Sequence, residues 1–189
     1  LGEDFRVVGL SAGHQLEQLV RRARSCEPEA VCIADEAQVE SVRRQLPGVR
    51  VLSGPEGLAQ LAALDEADVV VNGLVGAVGL LPTLEALKAG KTVAMANKEP
   101  LVMAGGLVME AARRRGVAVL PVDSEHNAIH QCLHRRPAEH VRRLILTASG
   151  GPFREWSAAR LTGVTTADAL AHPTWQMGRK ITVDSATLM

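Results

Sequence analysis

The chain has 189 residues, with 21 Lys or Arg and 21 Asp or Glu, so its formal net charge at pH 7 is zero. This balance produces no overall electrostatic field of the kind that favours binding to nucleic acid or to a membrane surface. Hydrophobic residues make up 47% of the chain, enough to bury a core, but two Phe, two Trp and no Tyr leave that core to aliphatic side chains. The length suits one domain, or one domain and the start of a second.

The cysteines and the apolar runs predict a cellular setting. Cys26, Cys32 and Cys132 form no C-x-x-C pair, and an odd number gives no disulfide framework. Free thiols of this kind are typical of a reducing compartment. The N-terminus has no signal-peptide pattern, and no apolar run reaches the length of a bilayer span. We therefore expect a soluble intracellular protein.

Short β-rich runs alternate with amphipathic runs along most of the chain. The predicted strands are residues 6–10, 30–34, 49–52, 68–72, 91–94, 117–120, 143–147 and 180–183. The predicted helices are residues 16–25, 36–46, 58–63, 80–88 and 107–115. Gly90 and Gly116 follow the last two of these helices, as is typical of helix C-termini. The alternation predicts an α/β fold with a doubly wound, mostly parallel sheet, of the Rossmann-like kind.

The pattern changes after residue 147. Residues 149–152 (Ser-Gly-Gly-Pro) break it, and residues 156–177 predict loops with short helical pieces. Earlier in the chain, residues 73–79 contain three glycines, but their spacing differs from the G-x-G-x-x-G fingerprint, so they predict a glycine-rich turn between strand and helix. Neither G-x-S-x-G nor H-E-x-x-H occurs, which leaves serine hydrolases and zincins without support.

The densest group of reactive side chains follows the predicted strand at 117–120. It comprises Asp123, Ser124, Glu125, His126 and Asn127. Ligands bind at the carboxyl ends of strands in open parallel sheets, and two carboxylates suit Mg²⁺ or Mn²⁺. The same residues also suit a helix N-terminus, with the first two as N-cap candidates and the glutamate in the first turn. The two interpretations are compatible, because helices begin where strands end.

Two further polar groups follow predicted strands. Gly13, in the segment 11–15, would let a ligand approach the backbone at a helix N-terminus, although an ordinary turn has the same composition. Asn97, Lys98 and Glu99 follow the strand at 91–94. They would hold a phosphate, a hydroxyl or a carboxamide, or they would start a helix with Asn97 as its cap.

The last two polar groups lie in the second part of the chain. Ser149 and the two glycines after it would form an anion-binding concavity, but without the Gly-Lys-Ser/Thr ending of a P-loop. In the segment 172–180, Trp175 and Met177 would either be buried beneath a loop or form a lid that excludes water, with His172 as a donor.

Four of these segments, in this order, resemble the 1-deoxy-D-xylulose 5-phosphate reductoisomerase family. The matching segments are 96–99 (Ala-Asn-Lys-Glu), 121–129 (Pro-Val-Asp-Ser-Glu-His-Asn-Ala-Ile), 147–154 (Thr-Ala-Ser-Gly-Gly-Pro-Phe-Arg) and 172–187. The resemblance covers essentially the whole chain. It implies an enzyme dependent on NADPH and on Mg²⁺ or Mn²⁺ that rearranges a ketose phosphate and reduces the product to 2-C-methyl-D-erythritol 4-phosphate, in the non-mevalonate route to isoprenoids.

The resemblance also implies a role for individual residues. The implied metal ligands are Asp123 and Glu125. The implied substrate contacts are Lys98, Ser124, Glu125, Ser149, His172 and Ser185, of which the first three are also the implied catalytic residues. The implied cofactor contacts are Gly13, His14, Gln15, Asn97, Glu99 and Gly178. The implied lid residues are Trp175 and Met177.

The resemblance further implies an organisation. It divides the chain into an NADPH-binding domain at 1–122 and the start of a catalytic α+β domain at 123–189. It implies a homodimer in the bacterial cytoplasm or plastid stroma that acts on a small sugar phosphate, with neither nucleic acid nor membrane as partner. The family has a pyrophosphate-binding turn before the first residue here and further ligands after the last, so we expect a fragment with weak or no activity of its own. A metal-independent dehydrogenase of the same fold, or a non-catalytic phosphate-binding module, would be the alternatives.

Overall fold

The computed structural model of the chain describes residues 5–146 and 150–185, with side chains up to residue 183. The chain divides into two compact units, Leu1–Asn127 and Ala128–Met189. Among the described residues, no helix combines the length and the apolar character needed to span a bilayer.

The strands of the first unit form two parallel sheets of three strands each. The first sheet contains β1 (Gly9–Ala12), β2 (Ala30–Ile33) and β3 (Arg50–Ser53), and the second contains β4 (Val69–Asn72), β5 (Thr92–Met95) and β6 (Val119–Pro121). In register, Gly9 lies opposite Ala30, and Val93 lies opposite both Val70 and Val119. The predicted α/β class with parallel strands is confirmed, with the strands divided between two hydrogen-bonded sheets.

Helices connect these strands in the first unit. They are α1 (Leu16–Cys26), α2 (Val39–Gln45), α3 (Gly54–Ala62), α4 (Leu80–Lys88), α5 (Glu99–Arg115) and the first part of α6 (Ser124–Leu133). Because α1 places Leu19, Val20 and Ala23 on one face, it buries that face against β2, whose four residues are all buried. A separate core joins α4 and α5 to the second sheet around Val93. The carboxyl ends of the strands therefore feed helix starts, where ligands usually bind.

The second unit contains short helices in the part of the chain that the structure describes. They are the end of α6, α7 (Ala158–Leu161), α8 (Thr166–Leu170) and α9 (Arg179–Ser185). A capping box starts α8, because the Thr165 hydroxyl accepts from the Asp168 amide while the Asp168 carboxylate accepts from the Thr165 amide. Trp156 packs edge-on against Phe153, with ring centroids 5.0 Å apart, and the Arg160 guanidinium lies 3.7 Å from the Trp156 ring centroid.

Two predicted strands are wrong. Residues 143–146 form no strand, and residue 147 lies outside the described residues. Leu144, Ile145 and Leu146 are exposed there, and none of the described strands pairs with them. Residues 180–183 lie in α9 instead. The amide and the hydroxyl of Thr182 both donate to the Gly178 carbonyl at 3.0 Å, so hydrogen bonds within one turn replace those of a ladder.

One predicted helix is longer than its sequence pattern indicated. The helix predicted at 107–115 begins at Glu99, with Pro100 in its first turn, where proline is favoured. Ala104 interrupts α5 with a non-helical φ of −147°, so the helix is kinked near its middle. This earlier start places the segment 97–99 directly at a helix N-terminus.

Candidate functional site

The two carboxylates predicted to bind a metal lie at the junction between β6 and α6. Ser124 begins α6, and its hydroxyl donates to Oε2 of Glu125 at 2.8 Å. This hydrogen bond is the largest cause that lowers the pKa of Glu125 below its ordinary value, and the Glu125 backbone and a side-chain hydrogen bond with Asp123 add to it. Glu125 is therefore ionised at neutral pH, and it lies two residues after Asp123 at the same helix start.

The residues that follow hold this junction in place. The side-chain amide of Asn127 donates to the Pro121 carbonyl at 2.7 Å, and its backbone amide donates to the Asp123 carbonyl at 2.8 Å. Nδ1 of His126 lies 4.0 Å from Oδ2 of Asp123. Asn127 thus ties the end of β6 to the first turn of α6. The predicted helix start is confirmed, with Glu125 in the first turn of α6, and the metal site stays a prediction.

This pair of carboxylates fits a hard divalent cation. Carboxyl groups two residues apart at one helix start offer oxygens to the same cation. Oxygen ligands of this kind suit Mg²⁺ or Mn²⁺. No group of three or more His, Cys, Asp or Glu side chains converges on one point within residues 5–146 and 150–183. A cation held by Asp123 and Glu125 would therefore need further ligands to complete its coordination.

Asn97 has a structural function at the end of β5. It is only 2% exposed; Nδ2 donates to the Gly76 carbonyl at 3.0 Å, and Oδ1 accepts from the Glu99 amide at 3.1 Å. These bonds connect the turn after β4 to the start of α5. Lys98 directly precedes α5 and is half-buried. The N-cap of α5 is Lys98 and not Asn97 as predicted, but Asn97, one residue earlier, still accepts from the Glu99 amide and so sets the backbone position of Lys98.

Two residues near Asn97 were not identified from the sequence, Asn72 and Thr83. Asn72 ends β4, and its Nδ2 donates to the Gly79 carbonyl at 3.0 Å and to the Thr83 hydroxyl oxygen at 2.7 Å. Asn72 and Thr83 are both buried. A polar residue at the end of an apolar strand, followed by three glycines, was the available signal for this network.

The turn after β1 borders a cavity of about 310 Å³. Gly13 and Gln15, both predicted cofactor contacts, line this cavity together with Arg22 of α1. Arg22 was not predicted, although it lies two helical turns after Gln15 on the same face of α1. His14 is close to Asp35, with Nδ1 3.8 Å from Oδ2. The turn therefore combines an open space, backbone amides and a cationic side chain, a combination that suits an anionic ligand.

In the second unit, His172 organises the segment predicted to be a lid. Its Nδ1 accepts from the amides of Thr174 at 3.1 Å and Trp175 at 3.0 Å. Trp175 is 60% exposed, so the alternative in which this residue is buried beneath the loop is wrong. Met177 is half-buried, and Gly178 directly precedes α9.

The remaining predicted phosphate contacts are only partly described. Ser149 lies outside the described residues, and the Ser185 side chain does as well, although its backbone ends α9. Gly150 and Gly151, after Ser149, have φ values of +76° and +63°. Only glycine adopts this conformation without strain, which accounts for both glycines in the predicted anion-binding segment.

Two family models match the chain. Residues 1–105 match the model described as 1-deoxy-D-xylulose 5-phosphate reductoisomerase, and residues 119–189 match the model of the C-terminal domain of the same enzyme. Curated relatives with the enzyme's name include proteins from Cyanothece sp., 49% identical over 99% of this chain, and Geobacillus kaustophilus, 50% identical over 99% of this chain. The chain spans about half the length of these relatives, 49% in each case.

Solved structures agree with these matches. The chain is similar to a DOX-P reductoisomerase in complex with NADPH, fosmidomycin and magnesium, with a TM-score of 0.86 and 37% identity over 98% of this chain and 48% of that one. It is also similar to the Zymomonas mobilis enzyme in complex with NADPH, with a TM-score of 0.84 and 41% identity over 96% of this chain and 47% of that one. The chain therefore belongs to the 1-deoxy-D-xylulose 5-phosphate reductoisomerase family.

Proposed function

We propose that the complete protein that carries this chain converts 1-deoxy-D-xylulose 5-phosphate to 2-C-methyl-D-erythritol 4-phosphate. It would use NADPH and a divalent cation, Mg²⁺ or Mn²⁺. The observation that carries this proposal is the start of α6, where the Ser124 hydroxyl donates to Glu125 at 2.8 Å directly after Asp123. A simple hydride transfer to a carbonyl needs no metal, whereas a rearrangement of the carbon skeleton benefits from one.

We assign the metal and the reacting end of the substrate to Lys98 and the segment 123–125. Asp123 and Glu125 bind the cation, which when bound supplies a Lewis acid for the carbonyl and hydroxyl oxygens of the substrate. The Ser124 hydroxyl keeps Glu125 ionised through its 2.8 Å hydrogen bond and offers an oxygen to the substrate. Lys98, placed by Asn97 at the start of α5, brings a positive charge to the reacting end.

We assign the phosphate end of the substrate and the lid to residues that follow position 147. Ser149, His172 and Ser185 bind the phosphate group. Trp175 and Met177 cover the bound substrate and exclude water from it. The exposed ring of Trp175 and the hydrogen bonds from its turn to His172 support this assignment.

NADPH, when bound, supplies the hydride, and the chain orients it. The proposed contacts are Gly13, His14, Gln15, Asn97, Glu99 and Gly178. The cavity beside Gly13 and Gln15 supports the first part of this set. We assign residues 1–122 to the cofactor-binding domain and residues 123–189 to the catalytic domain.

The remaining properties of the complete protein are proposals of the same kind. We infer a homodimer located in the bacterial cytoplasm or the plastid stroma, as the family resemblance implies. The 189-residue chain alone should show weak or no turnover, because two carboxylates bind a cation loosely.

The test is to follow NADPH absorbance with 1-deoxy-D-xylulose 5-phosphate, with and without a chelator, using the complete protein. Consumption that stops with the chelator and returns with Mg²⁺ is the expected result. Glu125→Gln should abolish it, while Glu139→Gln, an exposed glutamate of the second unit, should not. Chelator-insensitive consumption would indicate a metal-independent dehydrogenase instead. No consumption by a folded protein that still binds phosphate would indicate a binding module.

A further inference from the structure

Two histidines stand together at the end of α6. His130 lies in the last turn of this helix, and His134 directly follows its last residue, Leu133. Both side chains are exposed, and their ring centroids are 6.3 Å apart, with an angle of 59° between the planes. Residues four apart lie on the same helix face, so this pair presents two imidazoles in one direction.

The backbone holds this pair in a defined place. The amide of His134 donates to the Gln131 carbonyl at 3.3 Å, and the amide of Arg136 donates to the Leu133 carbonyl at 2.9 Å. Arg135 has a φ of +57°, the left-handed conformation that ends many helices. His134 is therefore kept at the helix end, one turn after His130.

The spacing of the rings suits a single metal ion. A metal-bound imidazole nitrogen lies ~2 Å from the ion, which puts the centres of two rings on one ion about 5–6 Å apart. The observed 6.3 Å separation reaches that range by small rotations of two exposed side chains. Cys132, two positions from each histidine, lies on the opposite face of the helix. There it lines an apolar groove with Ala128 and Leu133, so it is not part of the pair.

We propose that His130 and His134 form a chelating site for a divalent transition metal such as Cu²⁺, Ni²⁺ or Zn²⁺. Imidazole nitrogens prefer these ions, whereas the oxygens of Asp123 and Glu125 suit Mg²⁺ or Mn²⁺. One helix thus has a hard-metal pair in its first turn and a nitrogen pair at its end. A metal held by both imidazoles links the last turn of α6 to its cap and stabilises the helix end by mass action. This inference stands apart from the proposed function.

Copper is the most sensitive probe, because it binds nitrogen ligands most tightly among these ions. The experiment titrates Cu²⁺ into the protein with excess Mg²⁺ present and records the binding isotherm and the electron paramagnetic resonance spectrum. The expected result is a site whose spectrum shows two equatorial nitrogen ligands. His130→Gln and His134→Gln should each lower the affinity for Cu²⁺ on the order of tenfold or more, because half of the chelate is removed. The spectrum of each variant should show the coupling of one nitrogen instead of two.

The matched control is His140→Gln, which removes another exposed histidine of the second unit. Circular dichroism of each variant checks that the helices remain. Copper binding by His130→Gln or His134→Gln with unchanged affinity and two nitrogen couplings would overturn the proposal. Equal losses in all three variants would also overturn it, because they would indicate adventitious binding to surface imidazoles.

Discussion

The side-chain nitrogen of Asn97 lies 2.3 Å from the position that a Cβ on Gly79 would occupy. The Gly79 carbonyl in turn accepts from Asn72 at 3.0 Å and from the Thr83 hydroxyl at 2.7 Å. The turn after β4 is therefore held by Asn72 at the end of β4 and by Asn97 after the end of β5. Because Asn97 also accepts from the Glu99 amide, the same contacts set the start of α5 and the backbone position of Lys98.

Gly79→Ala should destabilise the protein through this contact. A methyl group has to displace the buried Asn97 amide and break its hydrogen bond to Gly76, which should lower the free energy of unfolding by about 2–3 kcal/mol. Urea denaturation measures this change. Gly73→Ala is the control, because no atom lies within 4 Å of a Cβ at that position. Equal effects of the two substitutions would contradict the assigned role of Asn97.

Substitution of the carboxylate pair should remove Mg²⁺ binding. Asp123→Asn and Glu125→Gln each take away one of two charged ligands, so the affinity for Mg²⁺ should fall by roughly tenfold or more. Ser124→Ala should weaken binding less, because it removes only the hydrogen bond that orients Glu125. Calorimetric titration of Mg²⁺ measures all three variants. Unchanged affinity in Asp123→Asn would place the cation elsewhere.

Cys32 should make the folded protein less stable at alkaline pH. Burial raises the pKa of its thiol from 9.0 to about 11. The folded state therefore keeps its proton after the unfolded chain has lost it. The contribution of the protonated Cys32 thiol to the free energy of unfolding is complete below pH 9.0 and is lost as the pH rises through about 11. The loss should amount to no more than about 2–3 kcal/mol, from ~1.4 kcal/mol for each pKa unit.

Denaturant unfolding between pH 8 and pH 11 measures this decrease. Cys32→Ala should show a shallower decrease, because the titrating thiol is gone. Cys132→Ala, which removes an exposed thiol, should show the same decrease of the free energy of unfolding with pH as the original protein. A slope that is the same in both variants would mean that other groups cause the alkaline loss of stability.

The capping box of α8 should respond to acid. The Thr165 hydroxyl is the main cause that lowers the pKa of Asp168, and the Thr165 backbone amide adds to it. The stabilisation is therefore present above the pKa of the unfolded chain and is lost as the pH falls through the folded value. Asp168→Asn should speed the exchange of the α8 amides at neutral pH.

Hydrogen exchange of residues 166–170 at pH 7 and at acid pH measures this effect. In the original protein the protection should fall with the pH, whereas in Asp168→Asn it should be low at both values. Glu155→Gln, an exposed carboxylate elsewhere in the second unit, is the control. Unchanged exchange in Asp168→Asn would show that the cap contributes nothing to α8.

Local patterns in the sequence were enough to predict most helices and strands of the first unit. The prediction for residues 80–88 coincides with α4, and the predictions for 30–34 and 68–72 each include one residue beyond β2 and β4. These elements depend on apolar periodicity and on glycine at helix ends, both of which act over a few residues. The adjacency of Asp123, Ser124 and Glu125 is equally local, so their meeting at the start of α6 could be predicted.

Contacts between residues that are distant in the sequence could not be predicted from such local patterns. The bonds that join Asn97 to Gly76 and Asn72 to Thr83 connect segments that only the packing of β4 beside β5 brings together. The segment 180–183 has β-branched residues typical of a strand, yet it is helical, because strands need partners while Thr182 bonds within its own turn. Residue types and short-range order thus follow from the amino-acid sequence. Which polar groups meet, and whether a β-rich run becomes a strand, depends on tertiary neighbours that supply hydrogen-bond partners.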